Sequence, residues 1–295
     1  MLGAATKYVL RTDDTSRPEY LVKYPQKLNG RRETYTEFFI NQLGAALGLP
    51  MAHSGLVLLD GTAAFLTRIF TPSDETLIHG SLIIEDCFKK QNSVDDKELD
   101  KIKRRAEQEF YSIDFVADVL KTFCGQDFPA VFPTFVEMLV FDALVGSMDR
   151  HSQNWGVLAT AVEPVRYRFA PIFDSSRALL WNLDETQIEK LSKSEYALMR
   201  YINFARPCMG PVRNHPLVNK CNHFNFVINL VELYPEIATK VVLKLSNTVD
   251  AIGAKLVRKF PFDRAFSSAR KRLILKILGM RAICLKETLA KGGSL

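Results

Sequence analysis

The chain has 295 residues, of which 47% are hydrophobic and 24% charged, with 15 Gly and 13 Pro. These fractions exclude a disordered, collagen-like or disulfide-rich protein and predict a globular protein with a sizeable core. The most apolar stretch, residues 135–146, contains two acidic residues, so no transmembrane helix is expected, and the short, early-charged N-terminus does not resemble a signal peptide. We therefore expect a cytoplasmic protein, with secretion or translocation as an effector left open.

The net charge of +6 is unevenly distributed along the chain. Residues 201–295 carry +11, whereas residues 1–200 carry −5. This basic last third either attracts nucleic acid, an acidic partner or anionic lipid, or it forms helices whose Lys and Arg side chains face water. Both alternatives also apply to the expected final helix, residues 267–289, which combines basic and apolar side chains.

The first 70 residues predict a small sheet that carries one helix. Apolar residues at helical spacing are followed by Gly48, which ends the helix, and Asp60-Gly61 is a dipeptide typical of a tight hairpin turn. The predicted elements are strands over residues 7–11, 20–24, 54–59 and 63–70 and a helix over residues 34–47.

Beyond this region the apolar pattern becomes mainly helical. The charged residues 93–105 predict a solvated connection or an exposed helix, and a polar stretch at residues 146–154 precedes two short strands. The predicted elements are helices over residues 112–123, 133–144, 225–233, 235–245 and 267–289 and strands over residues 155–158 and 165–170.

The most informative segment for chemistry is residues 145–180. It contains Asp149 and Asn154 in the polar stretch, and a strand then leads to Asp174. An Asp beside a phosphoryl acceptor can orient a hydroxyl and take its proton, whereas Asn and Asp oxygens are ligands that suit Mg²⁺. Asp-x4-Asn followed by an Asp at a strand end is the arrangement of eukaryotic-type kinase folds. Taken alone, the spacing fits equally well three loop residues that cap turns.

A lysine and a glutamate in the N-terminal region add to this pattern. Lys23 interrupts the otherwise apolar strand YLVKYP, so it either reaches solvent or meets a buried anion. Glu37, in the following helix, is the only acid between Glu33 and Asp60. In kinase folds a strand lysine paired with a helix glutamate holds the phosphates of ATP. Together with the loop motif, the pair favours a nucleotide site.

These segments resemble the HipA-like serine/threonine protein kinases. GSMDRHSQNWGVL and FAPIFDSSRAL are similar to the catalytic and metal-binding motifs of that family, and YLVKYP and TEFFINQLGAALGLP to its lysine strand and glutamate helix. LILKILGMRAICLKETL resembles its terminal helix. The resemblance is closest to the compact stand-alone branch, which includes translocated and HipT-type toxin kinases. It implies an α+β, two-lobed protein-kinase-like fold, with a small N-terminal β-rich lobe carrying one helix (residues 1–75) and a larger, mainly helical C-terminal lobe (residues 76–295).

The resemblance also implies roles for individual residues. Asp149 would be the catalytic base, and Asn154 and Asp174 would hold Mg²⁺. Lys23 would contact the phosphates of ATP, and Glu37 would orient Lys23.

Two further residues belong to the DRH signature of the family. We expect Arg150 and His151 to hold the loop rather than to transfer protons, because Asp149 already has that role.

The phosphate-covering loop departs from the family pattern. The segment before the first strand has a single glycine, Gly3, where a flexible clamp would use two or three. Thr6 is either an autophosphorylation site close to the nucleotide or an unmodified polar residue. Asp174 is followed by Ser175-Ser176 instead of the Phe-Gly of most protein kinases, so an activation switch at that position is not assumed.

The expected function is ATP- and Mg²⁺-dependent phosphorylation of protein Ser or Thr, with autophosphorylation and a toxin or effector role as further expectations. One alternative is a small-molecule phosphotransferase of the aminoglycoside- or choline-kinase kind. Another is a non-catalytic module that pairs with an antitoxin or a DNA-bound regulator. The expected partners are a protein substrate and a small antitoxin, with nucleic acid suggested only by the basic last third.

Overall fold

The computed structural model describes residues 6–11, 18–25, 30–92, 111–212 and 221–292. Seven strands are described: β1 (Lys7–Leu10), β2 (Tyr20–Lys23), β3 (Ser54–Leu59), β4 (Thr62–Arg68), β5 (Glu75–His79), β6 (Gly156–Thr160) and β7 (Tyr167–Phe169). The described α-helices are α1 (Gly30–Ala46), α2 (Gly80–Asn92), α3 (Ile113–Cys124), α4 (Phe128–Val145), α5 (Glu185–Ser192), α6 (Glu195–Phe204), α7 (His223–Leu233), α8 (Pro235–Leu256), α9 (Phe262–Ala265) and α10 (Ser268–Gly292). These elements form an α+β protein, as predicted.

The chain folds into two compact units, each built from discontinuous segments. Unit 1 comprises Met1–Phe70, Pro171–Ile202 and Lys244–Ile283, and unit 2 comprises Thr71–Ala170, Asn203–Leu243 and Cys284–Leu295. The lobe boundary near residue 75 stays a prediction, and the expected connection over residues 93–105 lies outside the described residues.

Unit 1 contains the small sheet and its helix. The sheet is antiparallel with the order β1-β2-β4-β3, and α1 packs against β3 and β4. Asp60 and Gly61 have φ angles of 50° and 73°, which confirms the predicted tight turn. The helix begins at Gly30, four residues before the predicted start, and Gly48 at φ 75° follows its end as predicted.

Aromatic side chains anchor the middle of α1 within unit 1. The ring centroids of Phe38 and Phe39 lie 5.5 and 5.2 Å from that of Phe262 in α9, and Phe266 joins the same cluster. Large aromatic side chains bury much apolar area each, so this cluster fixes α1 against α9.

Unit 2 is organised around α4 and a second antiparallel sheet with the order β5-β6-β7. The helix packs against β7 and is buried along most of its length, because its sequence is apolar on nearly every face. Gly146 ends it at φ 71°, a left-handed conformation that glycine adopts without strain. The polar stretch that follows is thereby delivered to the amino end of β6. Strand β5 and helices α2, α5 and α6 were not predicted from the sequence.

One described segment, Ile113–Val145, is long and apolar enough to cross a membrane by length and composition. It contains α3 and α4, and 67% of its most apolar window is buried inside the protein. Core helices of folded domains show the same composition and burial.

Candidate active site

Three predicted residues meet in unit 1. Lys23 Nζ lies 3.1 Å from Glu37 Oε2 and 3.0 Å from Asp174 Oδ1, so one ammonium group bridges two carboxylates. The exposed fractions of these side chains are 15% for Lys23, 4% for Glu37 and 24% for Asp174. The cluster therefore has a buried end at Glu37 and a more open end at Asp174.

Strand register explains how Lys23 reaches this position. Val22, its neighbour in β2, is fully buried, and alternation along the strand directs Lys23 to the opposite face. There it pairs with Lys7 of β1 and Phe65 of β4 in the sheet register. The Lys7 Nζ lies 3.9 Å from Asp174 Oδ2, so a second lysine borders the cluster. Sequence analysis missed Lys7, although its place in a predicted strand next to the expected phosphate loop was a usable signal.

The charges of the cluster perturb one another. Burial lowers the pKa of Lys23, but the charges of Glu37 and Asp174 outweigh burial and raise that pKa above its ordinary value. Burial raises the pKa of Glu37 to about 7, because the charge of Lys23 offsets only part of the cost of desolvation. Lys23 therefore stays charged at neutral pH, whereas Glu37 titrates there.

The backbone holds Asp174 in an unusual conformation. Its φ of 53° lies in the left-handed region, which non-glycine residues seldom adopt and which Asp tolerates better than most. The preceding residues are fixed, since Ala52 N donates to Ile172 O at 2.9 Å and the Phe173 ring stacks on Phe70 at 5.7 Å. A small cleft borders Asp174 and is also lined by Glu37, Asn41, Ala52, Phe65, Thr67, Phe173 and Ser175. Residues held under such local strain are often found at functional sites.

Two other predicted residues lie together in a loop of unit 2. Asn154 Nδ2 donates to Asp149 O at 2.6 Å, which leaves the amide oxygen of Asn154 as its acceptor group. His151 N donates to Asp149 O at 2.9 Å, and Asn154 N donates to His151 O at 2.9 Å. These bonds fold residues 149–154 into a tight turn.

Arg150 holds this loop from inside, as expected from its place in the sequence signature. Its Nε and Nη2 donate to the two carboxylate oxygens of Asp142 in α4 at 2.8 and 3.0 Å. Its Nη1 donates to Asn154 O at 2.8 Å. Both side chains of the ion pair are 3% exposed. His151 is a loop histidine whose Nδ1 accepts from Gln153 N at 3.3 Å.

The start of α2 supports the same loop from another side. Gly80 N and Ser81 N donate to Trp155 O and Ser152 O at 2.9 and 3.0 Å. A Cβ atom at Gly80 would lie 2.3 Å from the Trp155 ring, so only glycine fits there without a shift. Because β5 and α2 were not predicted, these contacts could not be predicted from the sequence either.

The remaining predicted residues belong to the segment before β1. Thr6 is exposed, and its carbonyl oxygen accepts from Tyr24 N at 2.9 Å. Gly3 lies outside the described residues.

Taken separately, the amide oxygen of Asn154 in unit 2 and the carboxylate of Asp174 in unit 1 are donors that suit Mg²⁺. The described residues contain no group of three or more His, Cys, Asp or Glu side chains that could hold a metal. Magnesium at phosphoryl-transfer sites commonly needs only one or two protein oxygens, because phosphates and water supply the rest. A partly exposed carboxylate and an amide oxygen are suitable ligands. The roles of Lys23, Glu37, Asp149, Asn154 and Asp174 stay predictions.

Comparison with known proteins identifies similar proteins, and the sequence and structure comparisons agree with each other. The serine/threonine-protein kinase CtkA of Helicobacter pylori is 24% identical over 280 residues, which cover 90% of this chain and 79% of that protein. The crystal structure of the H. pylori proinflammatory kinase CtkA matches with a TM-score of 0.73 at 18% identity, covering 97% of this chain and 94% of that one. HipA of Shewanella oneidensis, in complex with HipB and operator DNA, matches with a TM-score of 0.61 at 13% identity, covering 98% of this chain and 66% of that one.

These structural likenesses confirm the kinase-like α+β fold predicted from the sequence. The family model described as the HipA-like C-terminal domain matches residues 1–224, which is more than half of the chain. The chain therefore belongs to the HipA-like C-terminal domain family.

Proposed function

We propose that this protein is an ATP- and Mg²⁺-dependent serine/threonine protein kinase. The observation that carries the proposal is the cluster of Lys23, Glu37 and Asp174, in which a partly buried lysine is held between two carboxylates. Kinases of known mechanism use a strand lysine, a helix glutamate and a metal-binding Asp in this way. Membership of the HipA-like family and the name of the H. pylori relative support the same activity.

Each residue has a distinct task in the proposed reaction. Lys23 binds phosphate oxygens of ATP, and Glu37 fixes the lysine for that contact. Asn154 and Asp174 are the ligands for Mg²⁺, which supplies neutralisation of phosphate charge when it is bound. Asp149 orients the acceptor hydroxyl and accepts its proton. Catalysis then consists mainly of positioning and electrostatic stabilisation.

The partners are proposed from chemistry and from one relative. A protein Ser or Thr is the acceptor, and Thr6, which is exposed, is one candidate for autophosphorylation. The S. oneidensis structure contains HipA with HipB and operator DNA, so a small antitoxin-like protein is the second proposed partner. The net charge of +11 in the last third is the feature that favours contact with nucleic acid.

The test is the intact mass of the protein after phosphatase treatment and incubation with Mg-ATP. The native chain is expected to gain whole phosphoryl groups, and Asp149→Asn, which keeps the shape of the side chain, to lose at least about 100-fold in rate. Asp263→Asn, the same change at an exposed position, is the matched control and keeps the native rate.

Other outcomes would distinguish the alternatives. Transfer to a small alcohol without labelling of any protein would favour a small-molecule phosphotransferase. Absence of both transfer and Mg-ATP binding would contradict the kinase assignment and favour a non-catalytic binding module. Peptide mapping of the labelled protein decides whether Thr6 is modified.

A further inference from the structure

The hydroxyl group of Tyr111 joins the two ends of the loop that contains Asp149. It donates to Arg150 O at 3.1 Å and accepts from Trp155 Nε1 at 2.8 Å. Tyr111 and Trp155 are both buried. A tyrosine hydroxyl has one proton to donate, so this pair of partners fixes its orientation. The hydroxyl oxygen of Tyr111 therefore links Arg150 to Trp155 through two hydrogen bonds.

Tyr111 is itself held rigidly. Gly210 N donates to Tyr111 O at 2.8 Å, and Ile113 N donates to Gly210 O at 3.1 Å. Ser112 and Gly210 form a parallel bridge between these bonds, and α3 begins at the next residue. The ring thus projects from backbone that these bonds hold on the carboxyl-terminal side of Tyr111, and it can restrain the loop instead of following it.

The restrained carbonyl oxygen belongs to Arg150, the residue that follows the proposed catalytic Asp149 in the chain. Arg150 follows Asp149 directly, and the peptide plane whose oxygen Tyr111 binds joins Arg150 to His151, so it restrains the backbone one residue beyond Asp149. The guanidinium group of Arg150 holds the loop through Asp142 and Asn154, but it does not bind the carbonyl oxygen of its own residue. Tyr111 supplies this separate restraint.

We propose that Tyr111 is a positioning residue for Asp149, acting through Arg150 O and the Trp155 indole. The proposal rests on the kinase function proposed above. Loss of the hydroxyl leaves a buried carbonyl oxygen and a buried indole N–H that must find other partners, so the loop shifts while the ring still fills its space. A displacement of about 1 Å at a reacting group can reduce a rate by about 100-fold.

The experiment compares Tyr111→Phe with the native protein in two independent assays. Phosphoryl transfer is expected to show kcat reduced by about 10- to 100-fold, with KM for ATP within about twofold of the native value. The chain has two tryptophans, so the nitrogen-15 NMR spectrum contains two indole N–H signals, assigned with Trp181→Phe. The Trp155 signal is expected to move and to exchange faster with solvent, whereas that of Trp181 stays in place.

Tyr167→Phe is the matched control, because the Tyr167 ring packs on Phe123 and its hydroxyl forms no hydrogen bond within the described part of the chain. It is expected to keep kcat and both indole signals.

An active native protein in which Tyr111→Phe moves the Trp155 signal but leaves kcat unchanged would overturn the positioning role alone. A native protein without any phosphoryl transfer would overturn the proposed function, and this role with it. An equal fall in kcat in both variants would also overturn the proposal, since it would show a general loss of stability.

Discussion

The two groups of candidate site residues are held in opposite ways. In unit 1, Lys23, Glu37 and Asp174 restrain one another through ion pairs between their side chains. The carboxyl group of Glu37 titrates near neutral pH. In unit 2, the loop of Asp149 and Asn154 is held mainly by hydrogen bonds to backbone oxygens and by one buried ion pair. The first arrangement is expected to change with pH, because Glu37 titrates near neutral pH. The second has fixed partners, so its geometry follows from packing.

The largest effect is expected from breaking the buried ion pair beneath the loop. Asp142→Asn keeps the shape of the side chain but leaves the Arg150 guanidinium without its carboxylate in a buried position. We expect the free energy of unfolding to fall by about 3–5 kcal/mol, measured by urea denaturation.

Glu75→Gln is the control for this variant, because it breaks a pair with Arg168, whose side chain is 50% exposed. Its expected cost is at most about 1 kcal/mol. Equal costs in the two variants would show that burial does not distinguish them.

A smaller loss is expected from crowding the loop at the start of α2. Gly80→Ala places a methyl group 2.3 Å from the Trp155 ring, so the ring and its loop must move. Overpacking of this kind costs about 1–3 kcal/mol, measured by the same denaturation. Gly55→Ala is the matched control, since the added methyl would lie 3.6 Å from Leu66, an ordinary contact. A stable Gly80→Ala with an unshifted Trp155 indole signal would contradict the fixed geometry of the loop.

The smallest effect is expected from the protonation of Glu37, which belongs to the cluster in unit 1 and not to the loop of Asp149. Because the pKa of Glu37 is raised to about 7, its protonation below that pH removes the charge that fixes Lys23. Phosphoryl transfer is expected to fall as pH drops through about 7, and Glu37→Gln to lack this dependence. The measurement is the pH profile of kcat/KM.

Protonation of Glu37 is expected to raise the free energy of unfolding, whereas it lowers the rate of phosphoryl transfer. The folded protein takes up the proton at higher pH than the unfolded chain, so the native fold gains stability relative to Glu37→Gln as pH falls from 8 to 6. The expected gain is on the order of 1 kcal/mol, measured by thermal unfolding. Parallel stability curves for the two proteins would contradict the raised pKa.

Local patterns predicted the parts of the fold that local interactions determine. The Asp60-Gly61 turn and the end of α1 at Gly48 were predictable because each depends on the backbone preferences of one or two residues. The apolar strand alone left Lys23 either in solvent or beside a buried anion, and the kinase-fold pattern predicted its proximity to Glu37.

Long-range pairing was not predictable in this way. Strand β5 has one exposed residue among partly buried ones, and it is defined by its pairing with β6, which is distant along the chain. Tyr111 gave no signal either, since its contacts come from residues 150, 155 and 210 and a buried tyrosine has no characteristic neighbours in sequence. Sequence periodicity records which face of an element is buried, but not the element that covers it.

The left-handed backbone at Asp174 has a consequence for how this site can be lost by mutation. Asparagine and glycine tolerate this conformation, and each is reached from an aspartate codon by a single nucleotide change. Either change removes the carboxylate without backbone strain. Under the proposed function, variants that have lost phosphoryl transfer but keep the fold are therefore a single nucleotide change away.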